Sequence, residues 1–415
     1  MSNRRYTTII IGAGQAGLAM GRQLSRRGID HVILERGQVA EGWRARRWER
    51  LRLITPNWAN GLPGAAYDGP DPDGHMSAAE LVARLSAYAD NNASPIEEGA
   101  EVLKVRGADN DFILATTIGP FRSRNLVLAT GACADPVIPV HSKAVPRHIL
   151  QITPAGYRRA DDLPPGGVLV VGAGASGVQL ASEIHASGRP VTIAVGNHLR
   201  LVRRYRGRDI EWWLNAVGAL DERADAAEEI ERARLSPSPQ LTGWPAPVDL
   251  SALQRSGIEM VGRLMDVRDG RAIFSGGLAH VCGAADLKLA RFLARVDAWE
   301  DVHRSLRGVA PPQPVEPTPV PTAPRLDLDL SSGAISTIVW ATGYRANHHF
   351  LGVPAFDRRG RLAHDGGVVR GPAGLYALGL PFLRRRRSTL LSGAGPDAKE
   401  LADHLERRLQ RRTAA

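Results

Sequence analysis

The fold of this chain is decided by its opening stretch, Tyr6-Thr7-Thr8-Ile9-Ile10-Ile11-Gly12-Ala13-Gly14-Gln15-Ala16-Gly17. An apolar run with the length of a buried parallel strand leads into three glycines at G-x-G-x-x-G spacing. In such a loop the first glycine makes the tight turn, the second lets the backbone approach a pyrophosphate, and the third lets helix and strand pack closely. The helix predicted for residues 18–26 would point the positive end of its dipole at that pyrophosphate. The stretch therefore predicts a dinucleotide-binding loop.

An acid follows this loop at the place where a ribose would lie. A second predicted strand, residues 31–34, ends in Glu35, eighteen residues after Gly17. A carboxylate there accepts hydrogen bonds from ribose hydroxyls. The alternative is a glycine-rich turn that binds nothing, and it is disfavoured because strand, loop, helix and acid are all in register. The predicted cofactor-binding residues of this first unit are Gly12, Gly14, Gln15, Ala16, Gly17, Glu35 and Arg36.

Composition narrows the functional classes. The chain has 415 residues, 43% apolar and 23% charged, which are ordinary values for a globular protein of about two to three domains. No apolar run approaches the roughly 20 residues of a membrane helix, and a strand begins too early for a signal peptide, so we expect a cytoplasmic protein. The net charge is +10, but the arginines are scattered without an aromatic-interleaved patch, so nucleic acid is not expected as a partner.

The cysteines exclude one kind of redox chemistry. Cys133 and Cys282 are far apart and form no C-x-x-C pair. A dithiol redox centre and a disulfide framework are therefore not expected. No metal site is predicted either.

A second loop repeats the first. Residues 167–171 read as a buried strand and lead into Gly172-Ala173-Gly174-Ala175-Ser176-Gly177. The strand after it ends at Val195, again eighteen residues past the last glycine, and no carboxylate follows. A missing acid beside several arginines suits a 2′-phosphate, which favours NADPH over NADH; the alternative is a basic solvated loop. The predicted contacts of this unit are Gly172, Gly174, Ser176, Gly177, Arg200, Arg203 and Arg204.

Further candidate contacts lie outside the loops. Residues 42–57 contain Trp43 and Arg44, which are able to stack on a ring or pair with phosphate, and Asn57, whose amide lies in a turn. By residue type alone, a cofactor contact and a packed surface segment are equally favoured. Two buried strands end in the small residues Ala129-Thr130-Gly131 and Ala341-Thr342-Gly343, which let the chain pass close to a ligand.

Together these motifs resemble the class B flavin-dependent monooxygenases, especially flavin-containing monooxygenases, plant YUCCA-type enzymes and bacterial CzcO-like NAD(P)/FAD-dependent oxidoreductases. The resemblance implies an α/β fold with two Rossmann-like dinucleotide-binding domains. Residues 1–155 and 330–415 would form the FAD domain, and residues 156–329 the inserted NAD(P)H domain, with a proline-rich connector at 309–325. In the family, Trp43 and Arg44 match residues lying on FAD, Asn57 matches an asparagine near the flavin ring, and Ala341-Thr342-Gly343 returns the chain to the FAD domain.

The resemblance also implies a function. NADPH reduces FAD, O2 adds to the flavin C4a atom, and a small organic substrate is oxygenated by N- or S-oxidation or by oxidative decarboxylation. Asn57 is the candidate catalytic residue, which would hold the flavin–oxygen adduct. The alternatives are an NAD(P)H-dependent flavoprotein reductase or dehydrogenase without oxygen insertion, and a sensor that binds FAD and NADPH without turnover. The sequence does not select a substrate and leaves a homodimer open.

One position departs from the family. The sequence fingerprint of the family carries a histidine where this chain has Thr153. Tyr157 of this chain does fit the fingerprint. The departure concerns the handling of the pyridine nucleotide, and it argues against a Baeyer–Villiger enzyme, whose fingerprint ends in Trp-Pro.

Smaller patterns complete the predictions. Ser77 and Glu80 predict a capping box, residues 101–105 and 112–117 a hairpin, and residues 285–306 a long helix. The run Arg384–Arg387 is either a solvated face or a phosphate or flavin contact.

Overall fold

A computed structural model describes residues 4–108, 111–227, 229–243, 248–303 and 309–413, and it confirms the predicted α/β fold. The helices, in chain order, are α1 (Gln15–Ser25), α2 (Glu41–Arg44), α3 (Ala78–Asn91), α4 (Ala175–Ala186), α5 (Ile210–Ala216), α6 (Ile230–Arg234), α7 (Leu250–Arg255), α8 (Leu278–His303) and α9 (Leu391–Thr413).

The strands, in chain order, are β1 (Arg4–Ile11), β2 (His31–Leu34), β3 (Ile96–Glu97), β4 (Val102–Ala108), β5 (Asp111–Thr116), β6 (Gly119–Leu128), β7 (Asp135–Pro136), β8 (Leu150–Ile152), β9 (Gly167–Val171), β10 (Val191–Ala194), β11 (Leu199–Arg200), β12 (Arg204–Tyr205), β13 (Arg208–Asp209), β14 (Pro239–Gln240), β15 (Glu259–Val261), β16 (Leu264–Arg268), β17 (Arg271–Phe274), β18 (Asp327–Asp329), β19 (Ile335–Trp340), β20 (Tyr344–Arg345), β21 (His364–Asp365), β22 (Val368–Val369) and β23 (Leu375–Ala377).

The first unit is built on a nine-stranded sheet with a parallel centre, in the order β23-β6-β1-β2-β3. β1 lies in the middle, and its Ile9 pairs with Val32 of β2 and Leu126 of β6. Its last four residues, Thr8 to Ile11, are all buried, so both faces of the strand are covered, which explains why its apolar run is continuous rather than alternating. β4 and β5 extend this sheet as the predicted hairpin, and the last helix, α9, packs against α1.

The second unit is a five-stranded parallel sheet in the order β15-β10-β9-β19-β8. Its edge strand β8 begins at Leu150 and its strand β19 ends at Trp340, both outside the predicted inserted domain of residues 156–329. The predicted boundaries are therefore wrong at both ends, because each strand hydrogen-bonds within the second sheet. The sequence assigned β19 to the first unit by its Ala-Thr-Gly ending, but each sheet has its own copy of that ending.

Two chain segments connect the units, and they pair with each other. β7 and β20 form a two-stranded antiparallel ribbon in which Tyr344 pairs with Pro136. The Asn347 side chain adds hydrogen bonds of 3.2 and 3.0 Å to the two carboxylate oxygens of Asp135. The inserted unit is thus joined to the first by one short ribbon rather than by two independent linkers.

Three smaller features bear on the predictions for single segments. The capping box of Ser77 and Glu80 is present at the start of α3. The long helix α8 begins at Leu278, seven residues before the predicted start, and residues 304–306 of the prediction lie outside the described residues. The proline-rich segment 309–325 contains neither helix nor strand, and the amide of its Thr318 donates to Asp286 of α8 at 2.8 Å.

Membrane-spanning helices and metal-ligating clusters are both absent from the described ranges. None of their helices is long and apolar enough to cross a membrane. Within the same ranges, no group of three or more His, Cys, Asp or Glu side chains is arranged to hold a metal ion.

Candidate functional site

The first glycine loop has the shape that its sequence pattern predicts. Gly12 has a φ of +106°, a backbone conformation that favours glycine, and a Cβ on it would lie 2.6 Å from the Ala129 carbonyl oxygen. A Cβ on Gly17 would collide with the Gly12 carbonyl oxygen, so α1 packs on the loop only because that side chain is absent. A Cβ on Gly14 would meet nothing within 4 Å. The space in front of Gly14 is therefore open to a ligand.

A buried acid lies beside this loop. Glu35 follows β2, is only 7% exposed, and accepts hydrogen bonds from the amides of Ala13 at 2.8 Å and Gly37 at 3.1 Å. Each carboxylate oxygen has two lone pairs, so these bonds orient the group and leave acceptor capacity for ribose hydroxyls. The Thr130 hydroxyl close by is buried and has no hydrogen-bond partner in the described parts of the chain. The first loop, the acid and this hydroxyl together fit the adenosine and pyrophosphate portions of a dinucleotide.

Gln15 connects the first loop to two other segments. Its side-chain oxygen accepts from the indole N–H of Trp43 at 3.1 Å, and its amide nitrogen lies 3.5 Å from the Thr389 carbonyl oxygen, just before α9. The Arg47 guanidinium lies over the Trp43 ring at 4.8 Å. Trp43 is thus held beside the loop, whereas Arg36 and Arg44 are exposed, and the predicted cofactor contacts of all three residues stay predictions.

Asn57 uses its amide within its own loop. The side chain is 5% exposed, its oxygen accepts from the Met76 amide at 2.8 Å, and its nitrogen donates to the Asp71 carbonyl at 2.9 Å. The same nitrogen lies 3.4 Å from the Tyr67 hydroxyl. In this geometry Asn57 braces residues 57–76, and its catalytic role stays a prediction.

The second loop repeats the first in backbone form. Gly172 has a φ of +111°, and a Cβ on Gly177 would collide with the Gly172 carbonyl oxygen. Its middle glycine differs, because a Cβ on Gly174 would lie 3.3 Å from the Ser238 hydroxyl. Gln240 donates to the Ala173 carbonyl at 2.8 Å, while its own side-chain oxygen is buried without a partner among the described residues.

The segment at Ser238 and Gln240 therefore covers the second loop and offers it polar groups, an arrangement that also fits a dinucleotide. Sequence reasoning missed this segment, since it lies more than sixty residues from the loop and has no motif. Ser176, predicted as a contact, is half-buried in the first turn of α4.

Each Ala-Thr-Gly ending belongs to one loop. Ala129 follows β6 and lies against Gly12, and Ala341 follows β19 and lies against Gly172 in the same way. Thr342 donates to the Val137 carbonyl in the segment between the two units, and Gly131 and Gly343 have φ values of +80° and +95°. The placement of Ala341-Thr342-Gly343 at the second loop corrects the expectation that it lies in the FAD domain.

The arginines predicted to contact a 2′-phosphate are mostly engaged elsewhere. Arg200 is 5% exposed and donates to Asp286 at 2.6 Å and to the Glu316 carbonyl at 2.9 Å. Arg203 donates to Asp209 at 2.6 Å and to the Ile54 carbonyl at 2.7 Å. Only Arg204 is exposed. The predicted role of Arg200 and Arg203 is therefore not supported by their geometry, because internal partners already neutralise both guanidinium groups.

Thr153, in the family's histidine position, lines a cavity beside the second sheet. The cavity has a volume of 530 Å³ and is also lined by Gln151 and Trp340. The Trp340 indole donates to the Gln151 side chain at 3.0 Å. Tyr157, which fits the fingerprint, is instead buried with its hydroxyl 2.9 Å from Glu183.

The arginine run before α9 is neither a solvated face nor a free phosphate site. Arg384 and Arg385 bond to Glu400 of α9, and Arg385 also bonds to the buried Asp397 at 2.6 Å. Arg386 and Arg387 reach across to the inserted unit, where they donate to Glu222 and Asp221, both at 2.7 Å. We call Arg384–Arg387 with these acids the arginine clasp. It fastens the two units together next to Thr389 and the first loop.

A buried acid lies between the units close to this clasp. Glu211 of α5 is 4% exposed, and one of its carboxylate oxygens has no partner among the described residues. Burial and the nearby Asp209 raise the pKa of Glu211 to about 7, while Arg203 and Arg387 oppose the shift. Burial and Arg203 lower the pKa of His75 at the same interface. The junction therefore holds groups whose charge changes with pH.

Comparison with known proteins agrees with this architecture. The family described as pyridine nucleotide-disulphide oxidoreductase matches residues 9–217. An uncharacterized oxidoreductase CzcO-like from Geobacillus kaustophilus is 28% identical over 400 residues, 96% of this chain and 97% of that protein. The indole-3-pyruvate monooxygenase YUCCA4 of Oryza sativa subsp. japonica is 25% identical over 433 residues, 97% of this chain and 87% of that one.

A solved structure shares the fold over nearly its whole length. A flavin-containing monooxygenase from Stenotrophomonas maltophilia superposes with a TM-score of 0.64 at 18% identity, covering 98% of this chain and 99% of that one. These findings confirm the predicted resemblance to class B flavin monooxygenases, and the predicted cofactors FAD and NADPH agree with them.

Proposed function

Because the chain belongs to the pyridine nucleotide-disulphide oxidoreductase family, we propose that it is a FAD- and NADPH-dependent monooxygenase that oxygenates a small organic substrate with O2. The observation that carries the proposal is the pair of glycine loops, each closed by an Ala-Thr-Gly ending and each on its own parallel sheet. Two such loops need two dinucleotides. The monooxygenase activity itself is proposed from the resemblance and from the rice relative, which is named an indole-3-pyruvate monooxygenase.

FAD is assigned to the first loop. The α1 helix has no acidic residue in its first turn, so its N-terminus attracts the pyrophosphate without competition. Glu35 accepts the ribose hydroxyls, and the Thr130 hydroxyl supplies a further polar partner. Trp43, held by Gln15, supplies an apolar surface beside the loop.

NADPH is assigned to the second loop, where Val195 stands in the place of the acid. When bound, the two cofactors supply hydride transfer and oxygen activation, and the protein supplies orientation and protection from water. In this chain, the arginine clasp and the Arg203 hydrogen bond to the Ile54 carbonyl keep the two units in contact.

Isotopic labelling tests this function. The purified holoprotein is supplied with NADPH and 18O2 and offered a panel of trimethylamine, methyl p-tolyl sulfide and indole-3-pyruvate, and the products are analysed by mass spectrometry. A monooxygenase gives one 18O atom in the product or, for the keto acid, in the new carboxylate. NADPH oxidation with all O2 recovered as peroxide contradicts the proposal and favours a reductase or dehydrogenase. Thr153, at the position of the family's histidine, would then be the first residue to test as the cause. No NADPH oxidation at all favours the non-turnover sensor.

We keep Asn57 as the candidate catalytic residue, although its amide braces the loop. An Asn57→Ala variant would leave the Met76 amide and the Asp71 carbonyl unpaired, at a cost of about 1–3 kcal/mol in unfolding free energy. A purely structural role predicts this loss with an unchanged ratio of peroxide to product. A catalytic role predicts a higher ratio of peroxide to product even at a temperature where the variant is fully folded.

The remaining assignments complete the proposal. The partners are a small-molecule substrate and O2, and no nucleic acid is expected. A cytoplasmic location and a homodimer stay predictions, for which fractionation of cells and light scattering of the purified protein are the direct tests.

A further inference from the structure

The two repeats can be compared residue by residue at the end of their second strands. Leu34 of β2 pairs with Ile11, just before the first loop, and Ala194 of β10 pairs with Val171, just before the second. The residues after these two strands therefore occupy equivalent places. They are Glu35 in the first unit and Val195 in the second.

The strands next to these two, β3 in the first unit and β15 in the second, differ in the same way: β3 ends in one acidic residue and is followed by another, whereas β15 is followed by a basic one. Leu34 pairs with Glu97 of β3, and the next residue is Glu98; Ala194 pairs with Val261 of β15, and the next residues are Gly262 and Arg263. At the positions just named, the first unit has three carboxylates, whereas the second has no carboxylate and one guanidinium. An edge lined with acids suits ribose hydroxyls, which donate hydrogen bonds, whereas a cation suits a phosphate.

Arg263 lies next to the space that a ribose would occupy. Its side chain is exposed, and a Cβ on Gly196, the residue after Val195, would lie 3.5 Å from the Arg263 Nε atom. Within the described parts of the chain, Arg263 has no ion pair or side-chain hydrogen bond, unlike Arg200 and Arg203. Its donors are therefore available to a ligand.

The turn at Gly196 is also fixed by a buried histidine, His198. The imidazole of His198 is 4% exposed, and its Nδ1 lies 2.9 Å from the Gly196 carbonyl oxygen. Burial lowers the pKa of His198, so the neutral ring donates from Nδ1 and fixes the turn. Gly196 contributes no side chain of its own, which leaves the approach to Arg263 open.

We propose that Arg263 binds the 2′-phosphate of NADPH and makes the second site prefer NADPH to NADH. The inference rests on the proposed function, and it replaces Arg200 and Arg203 with a residue that no motif marked. A guanidinium bonds a phosphate through two N–H groups, and this contact is lost entirely with the 2′-hydroxyl of NADH.

Calorimetric binding of adenosine 2′,5′-bisphosphate and adenosine 5′-monophosphate to the FAD-loaded protein tests the inference without any turnover. We expect the wild type to prefer the bisphosphate, and Arg263→Ala to weaken its binding by about 10- to 100-fold while leaving the monophosphate unchanged. Arg268→Ala is the matched control, because Arg268 is also an exposed arginine, at the far end of β16, and its removal changes the net charge by the same amount.

A second variant tests the same place by adding a charge. A Cβ on Gly196 has only ordinary contacts, the nearest at 3.5 Å, and its φ is not in the left-handed region, so Gly196→Asp is expected to fold. The new carboxylate would neutralise Arg263 and offer an acceptor to ribose hydroxyls. We expect this variant to bind the monophosphate at least as tightly as the bisphosphate.

The outcomes separate the inference from the function on which it rests. Equal bisphosphate affinity in the wild type and Arg263→Ala overturns the role of Arg263 and leaves the NADPH assignment standing. An equal loss in Arg268→Ala also overturns it, since the effect is then one of net charge alone. A wild type that binds neither compound contradicts the pyridine-nucleotide site itself.

Discussion

The two glycine loops have the same pattern and the same backbone, but they differ in front of the middle glycine and at the residue after the second strand. In both, the first glycine lies against an Ala-Thr-Gly carbonyl and the third lies under the first. The middle glycine faces open space at Gly14 and the Ser238 hydroxyl at Gly174. The contacts that the two loops share hold the strand, the loop and the helix together. The contacts that differ select which ligand binds.

The largest effect is expected at the third glycines. In Gly17→Ala and Gly177→Ala the new Cβ meets a backbone oxygen that cannot move without separating helix from strand. We expect each change to cost on the order of 3 kcal/mol or more in unfolding free energy, the upper range for overpacking. Gly17→Ala should lose flavin absorbance during purification. Gly177→Ala should keep its flavin and lose reduction by NADPH.

The matched control for this pair is Gly28→Ala, at a surface turn where a Cβ meets nothing within 4 Å. Its φ of +63° is tolerated by non-glycine residues at modest cost, so both cofactors should still bind. If Gly17→Ala lost NADPH binding and kept FAD, the assignment of the two cofactors to the two loops would be reversed.

The middle glycines give a smaller and more selective effect. A methyl group at Gly14 has space in the protein, so Gly14→Ala should melt within about 2 °C of the wild type. The same methyl group would stand where we place the pyrophosphate of FAD. We expect FAD affinity to fall by about 100-fold, measured by titrating the apoprotein with FAD. Unchanged FAD affinity would mean that no phosphate approaches Gly14.

Gly174→Ala sharpens the contrast at the second loop. Its methyl group would touch the exposed Ser238 side chain at 3.3 Å, which can rotate away. We therefore expect NADPH affinity to fall, with FAD affinity unchanged. A Ser238→Ala variant should lower NADPH affinity by about 10- to 100-fold, the loss of one hydrogen bond to a charged phosphate.

The junction between the loops should respond to pH through Glu211. Its pKa is raised in the folded protein, so its contribution to stability is full below the ordinary carboxyl pKa and is lost as pH rises through about 7. We expect the wild type to lose on the order of 2 kcal/mol relative to Glu211→Gln between pH 5.5 and 8.5, as measured by urea unfolding.

The unfolding free energies of the wild type and Glu211→Gln are compared at each pH, so the contributions of His75 and other titrating groups cancel. The charged groups facing Glu211 are Asp209, Arg203 and Arg387, and they are the same in both. Parallel pH profiles for the wild type and Glu211→Gln would show that the carboxyl does not titrate in this range.

The smallest effect is expected at the exposed part of the arginine clasp. Arg386 pairs with Glu222 at 2.7 Å, but both side chains are about two-fifths exposed. Arg386→Ala should cost less than about 1 kcal/mol, and the difference should shrink in high salt. Arg385→Ala should cost more, because it leaves the fully buried Asp397 without its cation. Equal effects of the two variants would mean that the clasp acts only through long-range charge.

The sequence was sufficient for the parts of the fold that repeat a local pattern. Both loops, the acid at Glu35 and its absence at Val195 follow from spacing, because a strand, a tight turn and a helix impose fixed distances along the chain. The domain boundaries and the arginines did not follow. Which sheet β19 joins depends on pairing with β9, and which arginine is free depends on acids more than eighty residues away, as Asp286 is from Arg200.

The same limit applies to Ser238 and Arg263, which reach the second site from distant segments without any motif of their own. Asn57 illustrates the opposite error, because a motif match identified the residue but could not reveal that its amide is already used by Met76 and Asp71.

The order of strands in the first sheet has a consequence for synthesis. β23 pairs with β6, although 246 residues separate Leu128 from Leu375, and α9 packs on α1 from the other end of the chain. During translation the second unit is therefore complete once Trp340 has emerged from the ribosome. The first unit cannot close until β23 has emerged as well. Until then residues 126–128 of β6 lack their partner strand, and Gln15 lacks its contact at Thr389. FAD would accordingly be loaded only after translation of nearly the whole chain, and a ribosome that stalled after β19 would leave a folded second unit attached to an aggregation-prone first one.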